Sequence, residues 1–384
     1  MELAFRYRRM GIITKRGSEM TIKQSRGFEP DYVVTPGEIL EELLLERNIT
    51  QTNFASRIRM STKALNQIIK GKAPITPDTA LKFEAVTGMS AGTWGALESS
   101  YRNSLAKERE SLRLEGIVSW LDGFPISDLR KLGYIVSSAR DKVGQVAELL
   151  RFFEVVNPQA WEEVWLQPQA AFRTSRTYNP SIKSLSVWLR LGDIQARTIE
   201  TGEFSRERVA KELPSFRSLM RKDGKSVVPK LMSMCNQLGI VLVFVPELSG
   251  TRCSGAARWI APERALIQLS LRHKTDDHFW FTFFHELGHL LKHSKKAFFV
   301  DSDNGHERSV EESEADKFAE ICLIPSQYEA EMQNMNDLTS VQAFAKKIGT
   351  SEGVVVGRLQ HLGIWSFSKG NELKAKMNFG THQL

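Results

Sequence analysis

The segment Phe281-Thr282-Phe283-Phe284-His285-Glu286-Leu287-Gly288-His289-Leu290-Leu291 constrains this chain more than any other stretch. Each residue of an α-helix turns about 100° and rises about 1.5 Å, so His285 and His289 fall one turn apart on one face. Two imidazole nitrogens so placed can reach one Zn²⁺ at about 2.0–2.1 Å. Glu286 lies beside that face, where a carboxylate can take a proton from water acidified by the metal. Gly288 leaves room for close backbone packing, and Leu287, Leu290 and Leu291 are suited to a core. The plainer alternative is a buried helix that happens to hold two histidines. The five-residue pattern, which has a stated mechanism, outweighs it.

A zinc site of this kind needs a third protein ligand and an open fourth position. A metzincin would supply that ligand from a continuation with Gly at 292 and His at 295, but this chain has Lys292 and Lys295. The next candidates lie in Ser309-Val310-Glu311-Glu312-Ser313-Glu314-Ala315-Asp316-Lys317-Phe318-Ala319-Glu320, which reads as a second helix. Glu312 and Asp316 are one turn apart, so one carboxylate can reach the metal while the other stands behind the ligands. Glu314 lies about 200° from Glu312 on a helical wheel and does not serve the same face. Glu312 is the expected ligand, with Glu311 or Glu314 as alternatives that also suit a solvated acidic face. A Glu-x-x-x-Asp helix downstream of the two histidines resembles the gluzincin arrangement.

His285-Glu286-Leu287-Gly288-His289-Leu290-Leu291, then Glu312-Ser313-Glu314-Ala315-Asp316-Lys317-Phe318-Ala319, then Leu323-Ile324-Pro325, resemble the ImmA/IrrE family of zinc metallo-endopeptidases. The resemblance covers roughly 238–330 and implies that Glu312 is the third ligand. The upstream segment fits it. Ile240-Val241-Leu242-Val243-Phe244-Val245-Pro246 reads as a buried strand, and 255–259 and 265–270 as two more. An edge of such a sheet could hold an extended peptide by strand addition.

A second motif lies near the N-terminus. Ile39, Leu40, Leu43 and Leu44 have helical spacing after Pro36. Thr50 caps a short helix over 51–58, and Ser61 caps another over 62–70, stopped by Gly71. Two short helices with a tight turn, the second polar on its outer face, are a helix-turn-helix signature. Between Glu46 and Asp78 there is no acidic residue, whereas Arg47, Arg57, Arg59, Lys63, Lys70 and Lys72 are basic. That stripe suits a phosphate backbone better than does the whole-chain charge of +7. Lys63, Asn66 and Gln67 are candidates to read base edges, and Gln51, Thr62, Lys70 and Lys72 to position the DNA backbone. A solvated basic face on an unrelated bundle is the competing reading.

The block Pro36 to Tyr101 resembles the XRE (Cro-like) DNA-binding domain, most closely its HigA-type antitoxin branch. The residues that carry this are Pro36-Gly37-Glu38-Ile39-Leu40, Gln51-Thr52-Asn53-Phe54-Ala55, 71–81 and Thr93-Trp94. One position departs: the turn between the second and third helices usually has Gly, and here has Arg59. A left-handed backbone there costs about 1 kcal/mol.

The remainder is less informative. Three cysteines without Cys-x-x-Cys spacing favour a reducing cytosol, and no apolar run approaches the roughly 18 residues that span a membrane. Residues 1–30, with Arg6, Arg8, Arg9, Lys15 and Arg16, read as a flexible basic arm. The middle, 104–236, reads as amphipathic helices with Trp161, Trp165 and Trp188 as core anchors; a sensor and a spacer are equally compatible with it. Residues 341–351 and 354–359 mimic a second helix-turn-helix but suit a helical pair packed on the peptidase core. His293 is too far along the helix to ligate the same ion, and His273, His278, His306 and His361 have no ligating spacing.

The expected fold is α+β and mostly helical. Its parts are a flexible arm (1–30), a five-helix XRE helix-turn-helix bundle (31–103) and a helical middle region (104–236). A zincin-like domain with a small sheet and the His-Glu-x-x-His helix (237–335) and a C-terminal helical extension (336–384) complete it. The expected function is a cytoplasmic repressor, homodimeric on a double-stranded operator, with no membrane association. Its zinc endopeptidase would cleave a partner repressor or toxin, or the chain itself. The alternative is a HigA-type antitoxin and autorepressor, of a toxin–antitoxin or phage-defence operon, whose peptidase fold mainly binds a protein partner.

Overall fold

A computed structural model describes residues 34–166, 182–221, 224–270, 272, 274–294, 299–302 and 309–377. The basic arm, His273 and His306 lie outside the described residues. The chain divides into two compact units, 1–111 and 112–384. The fold is α+β and mostly helical, as expected.

The first unit holds helices α1 (Pro36–Glu46), α2 (Gln51–Arg57), α3 (Thr62–Ile69), α4 (Pro77–Thr87) and α5 (Ala91–Glu115), the last of which runs past the unit boundary. Side-chain oxygens of Thr35, Thr50, Ser61 and Thr76 accept from the first free backbone N–H groups of α1 to α4. Thr35 and Glu38 complete a reciprocal capping box. The core gathers Leu40, Phe54, Leu65, Phe83 and Trp94, with Phe83 edge-on to Phe54 and Trp94 at 5.4 and 5.3 Å. Gly37 lets α1 approach the end of α3, because a Cβ there would collide with the Ile69 carbonyl and lie 2.7 Å from its Cα. Arg59, between α2 and α3, has φ +51°, the left-handed turn expected there.

The second unit is built on a four-stranded sheet in the order β1-β3-β2-β4, from β1 (Ile240–Phe244), β2 (Cys253–Ala261), β3 (Arg264–Leu269) and β4 (Phe299–Ser302). β1 and β3 are parallel; β2 is antiparallel to both β3 and β4. Ile240, Leu242 and Phe244 point into one core and Val241 and Val243 into another. Burial on both faces is why β1 reads as an unbroken apolar run rather than an alternating one.

The middle helices cover the second face. They include α6 (Lys142–Phe153) and α7 (Ile182–Ala196), and between them a short helix runs into a π-helical turn at Glu162–Leu166. Residues 184–192 of α7 are all buried, so it is not the amphipathic helix expected: it is enclosed between the sheet and its neighbours. Its polar groups are paired with the sheet. Trp188 Nε1 donates to the Val245 carbonyl at 2.9 Å, and Arg258 donates to Asp193 at 2.6 Å and the Leu189 carbonyl at 2.7 Å. Trp161 and Trp188 are core residues, as expected, and Trp165 packs against that core. The middle region thus shares a core with the sheet, and the expected boundary at 236/237 does not separate compact bodies.

The opposite face carries α8 (Gly224–Gln237), α9 (Asp276–Lys292) and α10 (Val310–Leu323), with α11 (Leu338–Ile348) and α12 (Glu352–His361) in the same core. Val341, Phe344, Val354, Val355 and Leu359 lie in that core, so the C-terminal pair is part of this layer rather than a separate extension. Residues beyond α12 return to the start of α9. Asp276 N–H donates to the Ala375 carbonyl at 2.9 Å, Met377 N–H to the Lys274 carbonyl at 2.7 Å, and Lys374 pairs with Asp277 at 2.7 Å. Among the described residues no helix is long and apolar enough to cross a membrane.

Candidate metal centre and nucleic-acid interface

α9 presents His285 and His289 on one face, and their Nε2 atoms are 3.0 Å apart. α10 crosses there at close range because Gly288 has no side chain: a Cβ would lie 3.3 Å from Ala315 Cα and 3.0 Å from Phe318. The expected role of Gly288 in backbone packing is thereby explained. The crossing brings Glu312 Oε2 to 3.1 Å from His285 Nε2 and Oε1 to 3.5 Å from His289 Nε2. His285, His289 and Glu312 each offer a ligand atom within 4.8 Å of the others. Of the three acidic candidates, Glu312 is the one brought to the histidines. Glu311 is exposed, and Glu314 meets a different ring.

Behind the ligand atoms stand further groups. Asp316 Oδ1 lies 3.0 Å from His285 Nδ1, one turn below Glu312 as expected. His289 Nδ1 faces His293 Nδ1 at 3.0 Å, and His293 Nε2 faces Glu314 Oε2 at 3.1 Å. Glu286 is fully buried, and its carboxylate lies against β2 at Gly255. The histidine stripe 285–289–293 is visible as a spacing of four in the sequence, which could have drawn attention to His293. Nothing in the sequence marks Gly255.

The donor set suits a divalent ion. A neutral His285 ring that donates its Nδ1 proton to Asp316 presents an Nε2 lone pair toward His289 and Glu312. Burial pushes the Glu312 carboxyl up, but ring N–H groups of His285 and His289, whose place at Glu312 a cation takes when bound, outweigh it and bring it to about 2. Burial, against the pull of Glu312, holds His289 below the usual imidazole range. An anionic carboxylate and neutral imidazoles are the protonation states that ligate zinc. Lone pairs converging in this way repel one another unless a proton or cation lies between them.

In the first unit, Lys63, Lys70, Lys72 and Thr62 are exposed and Asn66 and Gln67 half-buried, all on α3 or just after it. Arg57 and Arg59 are exposed at the turn before α3. Two residues serve internal contacts. Arg47, counted in the basic stripe, donates to the carbonyls of Val86 and Thr87 at 3.1 and 2.5 Å and so closes the end of α4. Gln51 donates to Glu41 at 3.0 Å.

Comparison with known proteins agrees with both halves. Residues 40–94 match the helix-turn-helix family model, and residues 235–360 match that of the IrrE N-terminal-like domain, a peptidase M78 family. The HTH-type transcriptional regulator YddM of Escherichia coli K12 is 31% identical over 77 residues, which are 20% of this chain and 80% of that protein. Virulence-associated protein I of Dichelobacter nodosus is 30% identical over 76 residues, 20% of this chain and 70% of that one. A solved structure of the Pseudomonas aeruginosa antitoxin HigA with higBA promoter is 28% identical, covering 22% of this chain and 94% of that one, with a TM-score of 0.21. The chain belongs to the helix-turn-helix transcriptional regulators and joins to that domain an IrrE N-terminal-like, peptidase-family domain. The peptidase-family match ends at 360, so it takes in α11 and α12, which the expected limit of 335 left out.

Proposed function

We propose that this protein is a DNA-binding repressor whose second unit is a zinc-dependent endopeptidase, acting on a partner regulator or toxin or on the chain itself. The observation that carries the proposal is the convergence of His285, His289 and Glu312 from two crossing helices, with Glu286, next to His285 in the chain, fully buried. His285, His289 and Glu312 would hold Zn²⁺, and Asp316 would hold the His285 ring in its ligating tautomer. When bound, the ion supplies a Lewis acid that polarises a peptide carbonyl and acidifies a water. Glu286 would take up a proton from the attacking water and return it to the departing amine. The small sheet is suited to orient an extended peptide by pairing with it.

On the DNA side, α3 enters the major groove. Lys63, Asn66 and Gln67 address base edges; Thr62, Lys70, Lys72 and Gln51 approach phosphates. A homodimer would read two half-sites about 34–36 Å apart.

The decisive experiment compares the parent chain with Glu286→Gln. Both should take up one equivalent of zinc, and only the parent should cleave, read by mass spectrometry on itself and on a peptide library. Equal cleavage by the two would refute catalysis at this site. A zinc-loaded parent that cleaves nothing yet binds its promoter would favour the antitoxin-like reading.

A further inference from the structure

We propose that His293 and Glu314 are positioning residues of the metal centre: together they set the tautomer of His289 so that its Nε2 lone pair faces the ion. This rests on the metal reading of His285, His289 and Glu312.

The argument is one of proton counting. His289 Nδ1 and His293 Nδ1 lie 3.0 Å apart, and a hydrogen bond between two ring nitrogens needs a single proton between them. If the proton sat on His293, the neutral ring would turn its bare Nε2 toward Glu314 Oε2, 3.1 Å away, and two acceptors would face each other. If it sits on His289, His293 accepts at Nδ1 and carries its own proton at Nε2, which it donates to Glu314. With a neutral His293 and an ionised Glu314, only the second arrangement satisfies both of the His293 contacts. It leaves the His289 Nε2 lone pair on the side of His285 and Glu312, where a cation can take it up.

The ring is held for this task. His293 is buried, its peptide N–H donates to the His289 carbonyl at 3.1 Å, and its own carbonyl accepts from Arg206. Both ligand imidazoles are then backed by carboxylates of α10. Asp316 contacts His285 directly, whereas Glu314, on the other side of the helix, reaches His289 through an intervening ring. A carboxylate behind a ligating imidazole raises its basicity and fixes its orientation.

The test measures zinc affinity of the full chain by competition with a chromophoric chelator. His293→Ala should weaken binding about 10- to 100-fold, as should the direct control Asp316→Ala. His293→Gln, whose amide oxygen can accept from His289, should recover part of the loss. Glu314→Gln keeps an acceptor but removes the charge, and should lie between parent and His293→Ala. A merely structural His293 would lower the melting temperature without this graded order. The proposal falls if His293→Ala and Glu314→Gln bind zinc like the parent while Asp316→Ala is weakened. Should His293→Ala fail to fold, Glu314→Gln decides alone, since that side chain is 54% exposed. A parent chain that takes up no zinc would sink the metal reading itself, and this inference with it.

Discussion

Gly255 of β2 and Glu286 of α9 meet where no further atom fits: a Cβ on Gly255 would collide with Glu286 Oε1 and lie 2.9 Å from its Cδ. Thr282 closes the same space at 2.8 Å. The sheet thus leaves a gap shaped for the carboxylate proposed as general base.

Gly255→Ala should therefore push the Glu286 carboxylate out of place while leaving the three ligand side chains where they are. A displacement near 1 Å costs about 100-fold in rate. The expected outcome is normal zinc content with cleavage reduced by about that factor, read by metal analysis and a peptide assay. Full activity in this variant would mean that Glu286 does not act from its present position.

Arg59 has φ +51°, a conformation that glycine adopts without a Cβ penalty. Arg59→Gly should stabilise the first unit by about 1 kcal/mol, offset in part by glycine's larger unfolded-state entropy. Thermal melting of the full chain should show the corresponding transition a few degrees higher. A lower transition would show that the arginine side chain makes contacts that matter more than the turn.

Lys63 and Asn66 lie on the outward part of α3, one exposed and one half-buried. The double variant Lys63→Ala with Asn66→Ala should lose specific binding to the chain's own promoter, since each base contact discriminates by about 1–3 kcal/mol. Lys72→Ala should instead weaken binding to all sequences alike and reduce its salt dependence. Footprints unchanged by the double variant would remove α3 from the recognition role.

Burial pushes Asp276 up to about 6, against hydrogen bonds from Ser351 and Ala375 that favour its charged form. A carboxyl raised in the folded state favours the protonated protein. Its contribution is fully present below about pH 4 and is lost as pH rises through 6. Asp276→Asn should remove this dependence, so its stability relative to the parent should improve by at most about 3 kcal/mol between pH 4 and 7. Denaturant titrations at several pH values measure it; parallel curves for the two proteins would contradict the assignment.

Much of the candidate site was legible because it is local. His285 and His289 share a helical face by geometry alone, and a Glu-x-x-x-Asp spacing puts Glu312 and Asp316 on one face of the next helix. The caps at Thr50 and Ser61 and the strained turn at Arg59 are likewise set by neighbours in sequence. Less legible was anything that depended on what covers a surface. α7 reads as amphipathic, yet it is buried all round because it is enclosed on the sheet face that β1 leaves open with Val241 and Val243.

The sequence by itself determined which residues can bind metal and which helix can face DNA, since both follow from spacings within a turn or two of helix. Only the tertiary structure decided that Glu312, rather than Glu311 or Glu314, meets the histidines, and that Glu314 instead backs His293. It also decided that the middle helices and the C-terminal pair enclose the same sheet. The reason is physical: the crossing of α9 over α10 is set by Gly288 against Ala315, a contact between segments far apart in the chain. Periodicity along one segment carries no information about which partner will fill the space a missing Cβ leaves.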